Sequence, residues 1–259
     1  MLYPSPFPEA EDPPLRIAVC LNSYRSRFLQ AVEASYVRIL GRVAPDAELT
    51  FFESANKGEF PEPSQFDLIV MAGANVDPRA SWDFVLEIHG FIRTIVEQYP
   101  DKKVVGICWG HQTISRVFGA DILDMDVPEM GVTSINLTKQ GRKFFPHAAA
   151  TGVVRLQQHH RREVAAAPAR FTPLAHGSQI FLNDNNTILT FQGHPEKDAQ
   201  TALLRLHDTT RWYGDEKASA RIEAQIAMGH DGDAIWKRIM RWVREPSRGL
   251  YAPKAPQRS

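Results

Sequence analysis

The apolar positions of this chain change period several times, and the changes mark strands and helices in alternation. Residues 16–21, Arg-Ile-Ala-Val-Cys-Leu, make a nearly continuous apolar run of strand length. Residues 27–40 place apolar side chains three and four apart and predict a helix, whereas 48–52 and 67–72 again predict strands. A long helix is expected over 81–99, with Trp82, Val85, Ile88, Ile92 and Ile95 turned inward. Residues 103–107 predict a strand that stops at Cys108, and 112–118 resume with helical spacing. From 131 to 191 the runs become shorter and more β-like, ending in the β-branched and aromatic stretch 187–191, and a helix-like segment covers 198–206. Beyond Thr209, Ile222 and Ile226, then Ile235, Trp236, Ile239, Met240 and Val243, recur at helical spacing and predict a core-facing stripe. The alternation predicts an α/β fold: a doubly wound, mostly parallel sheet with helices on both faces and a small antiparallel addition. One domain is expected over 16–250, between a flexible segment at 1–15 and a loose tail at 251–259.

Composition narrows the class. With 259 residues and 43% hydrophobic content, the chain is long enough for a sizeable core, near the upper limit for one. Thirty basic residues against thirty acidic ones leave no general attraction to nucleic acid or membrane. No apolar stretch approaches 18 residues, and the proline-rich, acidic start has no apolar run of a signal peptide. Of the two cysteines, Cys20 falls inside the first strand and reads as a small buried hydrophobe, so Cys108 is expected as a free thiol in a cytoplasmic protein. Neither a metal nor a cofactor is called for.

Cys108 stands where a strand becomes a helix, with Gly106 and Gly110 two residues to either side. A sharp turn of this kind needs little bulk beside it, which is the logic of the nucleophile elbow in hydrolases. A thiol at a helix N-terminus is favoured as thiolate by the unpaired N–H groups there. Later in the chain a second strand ends at His194-Pro195-Glu196. A cysteine nucleophile needs a base and a carboxylate to hold that base in one tautomer, and the proline stiffens the link between the two.

Together these motifs resemble the class I glutamine amidotransferase-like superfamily, whose glutaminase domains carry a Gly-x-Cys-x-Gly-x-Gln elbow followed by His-Pro-Glu. The resemblance runs from about Arg16 to Leu206 and implies a flavodoxin-like glutaminase fold. It implies Cys108 as nucleophile, His194 as base, Glu196 as its orienting acid and Gln112 among the glutamyl contacts. The oxyanion hole it implies uses the N–H of Trp109 and that of Gly73, which ends the strand run 66–72. Glu129-Met130-Gly131-Val132 looks like the loop lining the glutamyl pocket, so Glu129 and Gly131 are implied as substrate contacts. His159-His160-Arg161-Arg162 looks like the His-x-Asp loop beside the active site, with His160 and Arg162 near substrate, but Arg162 stands where the family has aspartate. Read without the family, this stretch is a solvated basic loop rather than a metal site.

No Walker-type phosphate loop or synthetase region fits in this length. The glycine in Gln192-Gly193-His194 resembles the stand-alone members, including γ-glutamyl peptidases, more than the biosynthetic ones. The first expectation is a hydrolase of the γ-glutamyl amide bond in glutamine-like or glutathione-type small molecules, acting through a glutamyl thioester. The alternatives are a glutaminase subunit that delivers ammonia to a separate synthetase, and a non-catalytic binding or regulatory protein on the same scaffold. Gly193 as open space and Arg162 as a cation at the pocket mouth point to a large, anionic leaving portion.

Overall fold

The computed structural model describes residues 13–208 and 216–249. In chain order the elements are β1 (Arg16–Cys20), α1 (Leu29–Val43), β2 (Glu48–Phe52), α2 (Ser54–Lys57), β3 (Leu68–Met71), α3 (Asp83–Gln98), β4 (Lys103–Ile107) and α4 (Trp109–Val117). They continue with β5 (Ile122–Asn136), α5 (Lys139–Phe144), β6 (Val153–Val164), β7 (Phe171–Pro173), β8 (Ile180–Asn183) and β9 (Ile188–Phe191). The described helices end with α6 (Ala199–Asp208), α7 (Glu216–Ile226) and α8 (Gly232–Val243).

Seven strands form one sheet in the order β2-β1-β3-β4-β9-β8-β7. The first five are parallel, and at one end β8 runs against β9 and β7 against β8. The continuous apolar runs of β1, β3 and β4 follow from burial on both faces, since crossover helices cover each side of a parallel sheet. Ile17, Val19, Val70, Val105 and Ile107 pack on one face with Tyr36 and Ile39 of α1 and Trp236 and Ile239 of α8. Ala18, Cys20, Ile69, Met71 and Val104 pack on the other with Val85 and Ile92 of α3 and Ile114 of α4. The predicted doubly wound sheet is therefore the observed one, and the α8 stripe is a core face. Among the described residues no helix is long and apolar enough to cross a membrane.

The antiparallel addition is larger than its short apolar runs predict. β5 and β6 pair over almost their whole lengths, with the register shifting between Asp124 and Glu129. That irregularity takes up Pro128, which cannot donate to a ladder, and hides the strand from a period-two reading. Met130, Ala202, Leu206, Ile222 and Ile226 form a small separate core that fixes this ribbon to α6 and α7. Trp82 departs from its predicted inward position. It lies before the first turn of α3 in extended conformation and is 53% exposed, because the helical period does not yet apply to it. The expected flexible segment at 1–15 lies outside the described residues except for 13–15, where Leu15 is buried and its carbonyl accepts from the Glu48 N–H. The expected tail at 251–259 lies wholly outside them.

Candidate active site

The chain crosses from β1 outward to β2 and then returns past β1 to β3, so the winding direction reverses between β1 and β3. Ligands of open α/β sheets bind beyond the carboxyl ends of strands at such a reversal. A narrow pocket of about 40 Å³ lies there, and Ser23, Gly73, Cys108 and His194 reach it from the ends of β1, β3, β4 and β9.

Cys108 is the turn between β4 and α4, at φ 53° and ψ −103°. A side chain in this sparsely populated region is strained, and the surrounding structure has to hold it. The two glycines show how. A methyl group on Gly110 would run into the Met71 carbonyl of β3, and one on Gly106 would stand 2.9 Å from the backbone of Gly110. Strand, elbow and helix thus approach backbone to backbone, which only glycine permits. The Cys108 N–H donates to the Phe191 carbonyl at 2.7 Å, tying the elbow to β9. Its thiol faces the His159 carbonyl at 3.8 Å.

His194 follows β9, and its N–H donates to the Gln157 carbonyl of β6 at 2.8 Å, so two elements set its backbone. Its Nδ1 lies 2.7 Å from Glu196 Oε1. With the Nδ1 proton donated to the carboxylate, Nε2 carries the lone pair, and it has no partner among the described residues. Gly73 lies between base and thiol. A methyl group there would stand 3.1 Å from His194 Cε1 and 3.6 Å from Cys108 Cβ.

Cys108 and His194 are both buried, at 5% exposure each. Burial pushes the Cys108 thiol up to about 11, against the pull of the Lys197 cation. It brings His194 down to about 4, with Lys197 adding to the shift and Glu196 opposing it. Burial alone would raise Glu196, but His194 beside it holds the carboxyl below its ordinary range. Burial thus favours the uncharged thiol and the neutral imidazole, while the His194 contact favours the Glu196 carboxylate.

Trp109 and Gln112 of α4, and Glu129, Gly131, His160 and Arg162 of the β5–β6 ribbon, are outside the lining of this pocket. Gln112 donates through Nε2 to the Arg162 carbonyl at 2.7 Å and to Gln192 Oε1 at 3.1 Å. His160 Nδ1 contacts the same carbonyl at 3.0 Å, and its Nε2 lies 3.0 Å from Glu129 Oε2. Gly131, at φ 85°, passes under α7, where a methyl group would meet Gln225. The Arg162 side chain lies 3.3 Å from Asp77 and 3.1 Å from Asp124, so its charge is met by two carboxylates. Gly193 does not border open space: a methyl group on it would stand 3.1 Å from the Gln158 amide and Leu156 Cβ.

Sequence reasoning passed over Asn75, Lys197 and Arg205, which line the pocket, and it read His159, which lines it too, as part of a solvated basic loop, whereas His159 and His160 are buried in β6. Lys197 and Asn75 carried a signal, being one residue past His-Pro-Glu and two past Gly73. Arg205 carried none, because only the packing of α6 brings it to the cleft.

A profile of the family Glutamine amidotransferase class-I matches residues 32–207. A glutamine amidotransferase-like protein of Penicillium rubens, chyE, is 32% identical over 89% of this chain and 98% of its own length. Gamma-glutamyl peptidase 3 of Arabidopsis thaliana is 25% identical over 70% of this chain and 76% of its own length. The crystal structure of a glutamine amidotransferase from Thermotoga maritima superposes with a TM-score of 0.68, at 18% identity, over 89% of this chain and 99% of that one. The chain belongs to the class I glutamine amidotransferase family.

Proposed function

We propose that this protein is a cysteine hydrolase of γ-glutamyl amide bonds, with small γ-glutamyl peptides or conjugates as substrates. The observation that carries the reading is the convergence of Cys108, Gly73 and the hydrogen-bonded His194–Glu196 pair on one buried pocket. His194 Nε2 takes the thiol proton, and the sulfur attacks the side-chain carbonyl of the glutamyl group. The N–H groups of Trp109 and Gly73 face the oxygen that becomes negative. Each donor of this kind is worth on the order of 10²–10³ in rate, because the charge appears only in the transition state. Collapse of the adduct breaks the C–N bond, and the leaving amine takes the proton back from His194. Water, deprotonated by the same imidazole, then hydrolyses the glutamyl thioester. Glu196 keeps the imidazole in the tautomer that both half-reactions need. Two free thiols fit a reducing, cytoplasmic setting.

The relatives named gamma-glutamyl peptidases support the substrate class, and the pairing of a nucleophile with an oriented base supports hydrolysis over passive binding. The test is to incubate the purified chain with glutamine, glutathione and a glutathione S-conjugate. Release of glutamate and cysteinylglycine or its S-conjugate from the peptides supports the reading. Ammonia from glutamine alone, rising when a synthetase partner is added, would replace it with a glutaminase subunit. No turnover and no labelling of Cys108 by a glutamine-like electrophile would leave a binding protein.

A further inference from the structure

Arg162 stands at the junction of three elements, and the steps above do not use it. Its carbonyl, on β6, accepts from Gln112 Nε2 at 2.7 Å. Gln112 is one turn into α4, and its own N–H donates to the Cys108 carbonyl at 3.0 Å, so the backbone of Arg162 is set against the helix that starts at the nucleophile. The side chain of Arg162 reaches two carboxylates. Asp77, at 3.3 Å, belongs to the loop after β3, and Asp124, at 3.1 Å, is the cross-strand neighbour of Arg162 on β5.

Arg79 closes the set from the loop side. Its Nη2 lies 2.7 Å from Asp77 Oδ2 and 2.7 Å from Asp124 Oδ2, and its Nη1 donates to the Ile122 carbonyl at 3.1 Å. Each of the two cations therefore touches both carboxylates, and the four charges join the loop to the ribbon. A lone exposed ion pair is worth little, but a network is worth more, and the Arg162 side chain is only 15% exposed. Burial alone would raise Asp77, yet Arg79 and Arg162 hold its carboxyl below the ordinary range. The same loop begins at Gly73, whose carbonyl accepts from Ser23 Oγ at 3.1 Å. Glycine imposes little on its own φ and ψ, so the attitude of the Gly73 peptide depends on what holds the chain on either side. Ser23 holds one side, and the charges at Asp77 hold the other.

From this arrangement we infer that Arg162 is a positioning residue: through Asp77 it fixes the loop that carries Gly73, and with it the N–H assigned to the oxyanion, relative to Cys108. The inference rests on the hydrolase reading and gives it a further residue. The charge is what matters. An aspartate at 162 would face Asp124 across the ribbon and Asp77 on the loop with a like charge, which pushes such groups apart. An arginine draws both in, while its carbonyl keeps the ribbon registered on α4 through Gln112.

The experiment measures kcat and KM for γ-glutamyl-cysteinylglycine and, separately, the rate at which iodoacetamide alkylates Cys108. Alkylation displaces iodide from carbon and forms no oxyanion, so it reports on the thiol and not on the Gly73 N–H. Arg162→Met should lower kcat by about tenfold at nearly constant KM, the scale expected when a transition-state donor is misplaced rather than removed. Asp77→Asn keeps an acceptor for the Arg79 N–H, which bonds Asp77 Oδ1 at 2.8 Å, and should lose a similar factor. The double variant should be no slower than either single one, because one link is broken in all three. Alkylation should be nearly unchanged throughout, and Arg162→Lys, which keeps a cation beside Asp77, should retain most of kcat. Additive losses in the double variant, or alkylation that falls in step with kcat, overturn the inference, since those patterns belong to separate or general structural roles. A rise in KM in Arg162→Met that Asp77→Asn does not share also overturns it and makes Arg162 a substrate contact. Full kcat in Arg162→Met, beside a wild-type protein that hydrolyses the peptide, keeps the hydrolase reading and removes only this inference. A wild-type protein that hydrolyses no γ-glutamyl amide removes both.

Discussion

Gly73 and His194 are so close that a methyl group on Gly73 would stand 3.1 Å from the imidazole Cε1. This glycine follows β3, the imidazole follows β9, and the elbow between those two strands brings Cys108 to the same point. In the proposed mechanism, the close approach lets the Gly73 N–H and the His194 imidazole address a single carbonyl group. Gly73→Ala should fold, since Gly73 is not among the residues with positive φ, yet it should displace the imidazole by a few tenths of an ångström. The expected result is a fall in kcat of about tenfold with little change in thermal stability, since small misplacements of reacting groups are costly. Unchanged kcat would mean that His194 needs no such precision, and the role given to Gly73 would go with it.

The two cysteines offer an internal control. Cys20 is fully buried in β1, and burial pushes its thiol up to about 12, whereas Cys108 opens onto the pocket. Cys108→Ala should abolish covalent labelling and lower turnover by on the order of 10³-fold or more, with the circular dichroism spectrum intact. Cys20→Ala should leave the rate nearly unchanged at the cost of a small buried void. Loss of labelling in Cys20→Ala instead would assign the nucleophile wrongly.

For the base and its carboxylate, both the order of effects and the sign of the pH shift are informative. His194→Ala should be as damaging as loss of Cys108, and Glu196→Gln milder, because an amide still holds the ring while the charge that stabilises the imidazolium is gone. His194 must be neutral to accept the thiol proton, and burial places it at about 4, so activity should persist to lower pH than an ordinary histidine near 6.5 would allow. Glu196 is what raises that value, so Glu196→Gln should move the acid limb of kcat/KM to still lower pH. A limb that moves upward, measured where the protein remains folded, contradicts the pairing.

Local geometry was legible in the sequence wherever a residue type was dictated by its own turn. Gly106 and Gly110 around Cys108 announce the elbow because no side chain fits against Met71 and the facing backbone, and the continuous apolar runs announce strands covered on both faces. Cys20 was readable as packing for the same reason. What the sequence hid depends on partners distant along the chain. Arg162 looked like a cation for substrate, but Asp77, from the loop after β3, and Asp124, opposite it on β5, take its charge. Gly193 looked like room beside the base, but β6 crosses there and fills it with Gln158 and Leu156. Arg205 could not be seen at all, since nothing in α6 tells which of its faces meets the cleft.

Acid sensitivity of the fold should trace to buried histidines, His111 above all. It is fully buried in α4, with Nδ1 2.8 Å from Thr190 Oγ1 and its ring 4.9 Å from that of Phe181. Burial, helped by His160, brings it down to about 3. In the unfolded chain the same imidazole binds a proton near pH 6.5, so below that pH the unfolded state holds more protons than the folded one and stability falls. The sign is that of a depressed histidine: no effect above about pH 7, then a growing loss until the folded value is reached. By pH 5 the loss is about 2 kcal/mol for one such group, from 1.36 kcal/mol per unit of pH below the unfolded value. Replacing His111 with Asn keeps a side chain able to bond Thr190 and removes the titration. The Tm of His111→Asn should therefore be lower than wild type at pH 8, because packing is lost, but should decline less between pH 7 and pH 5. Parallel Tm curves across that range would show that His111 contributes nothing to the acid limb of stability.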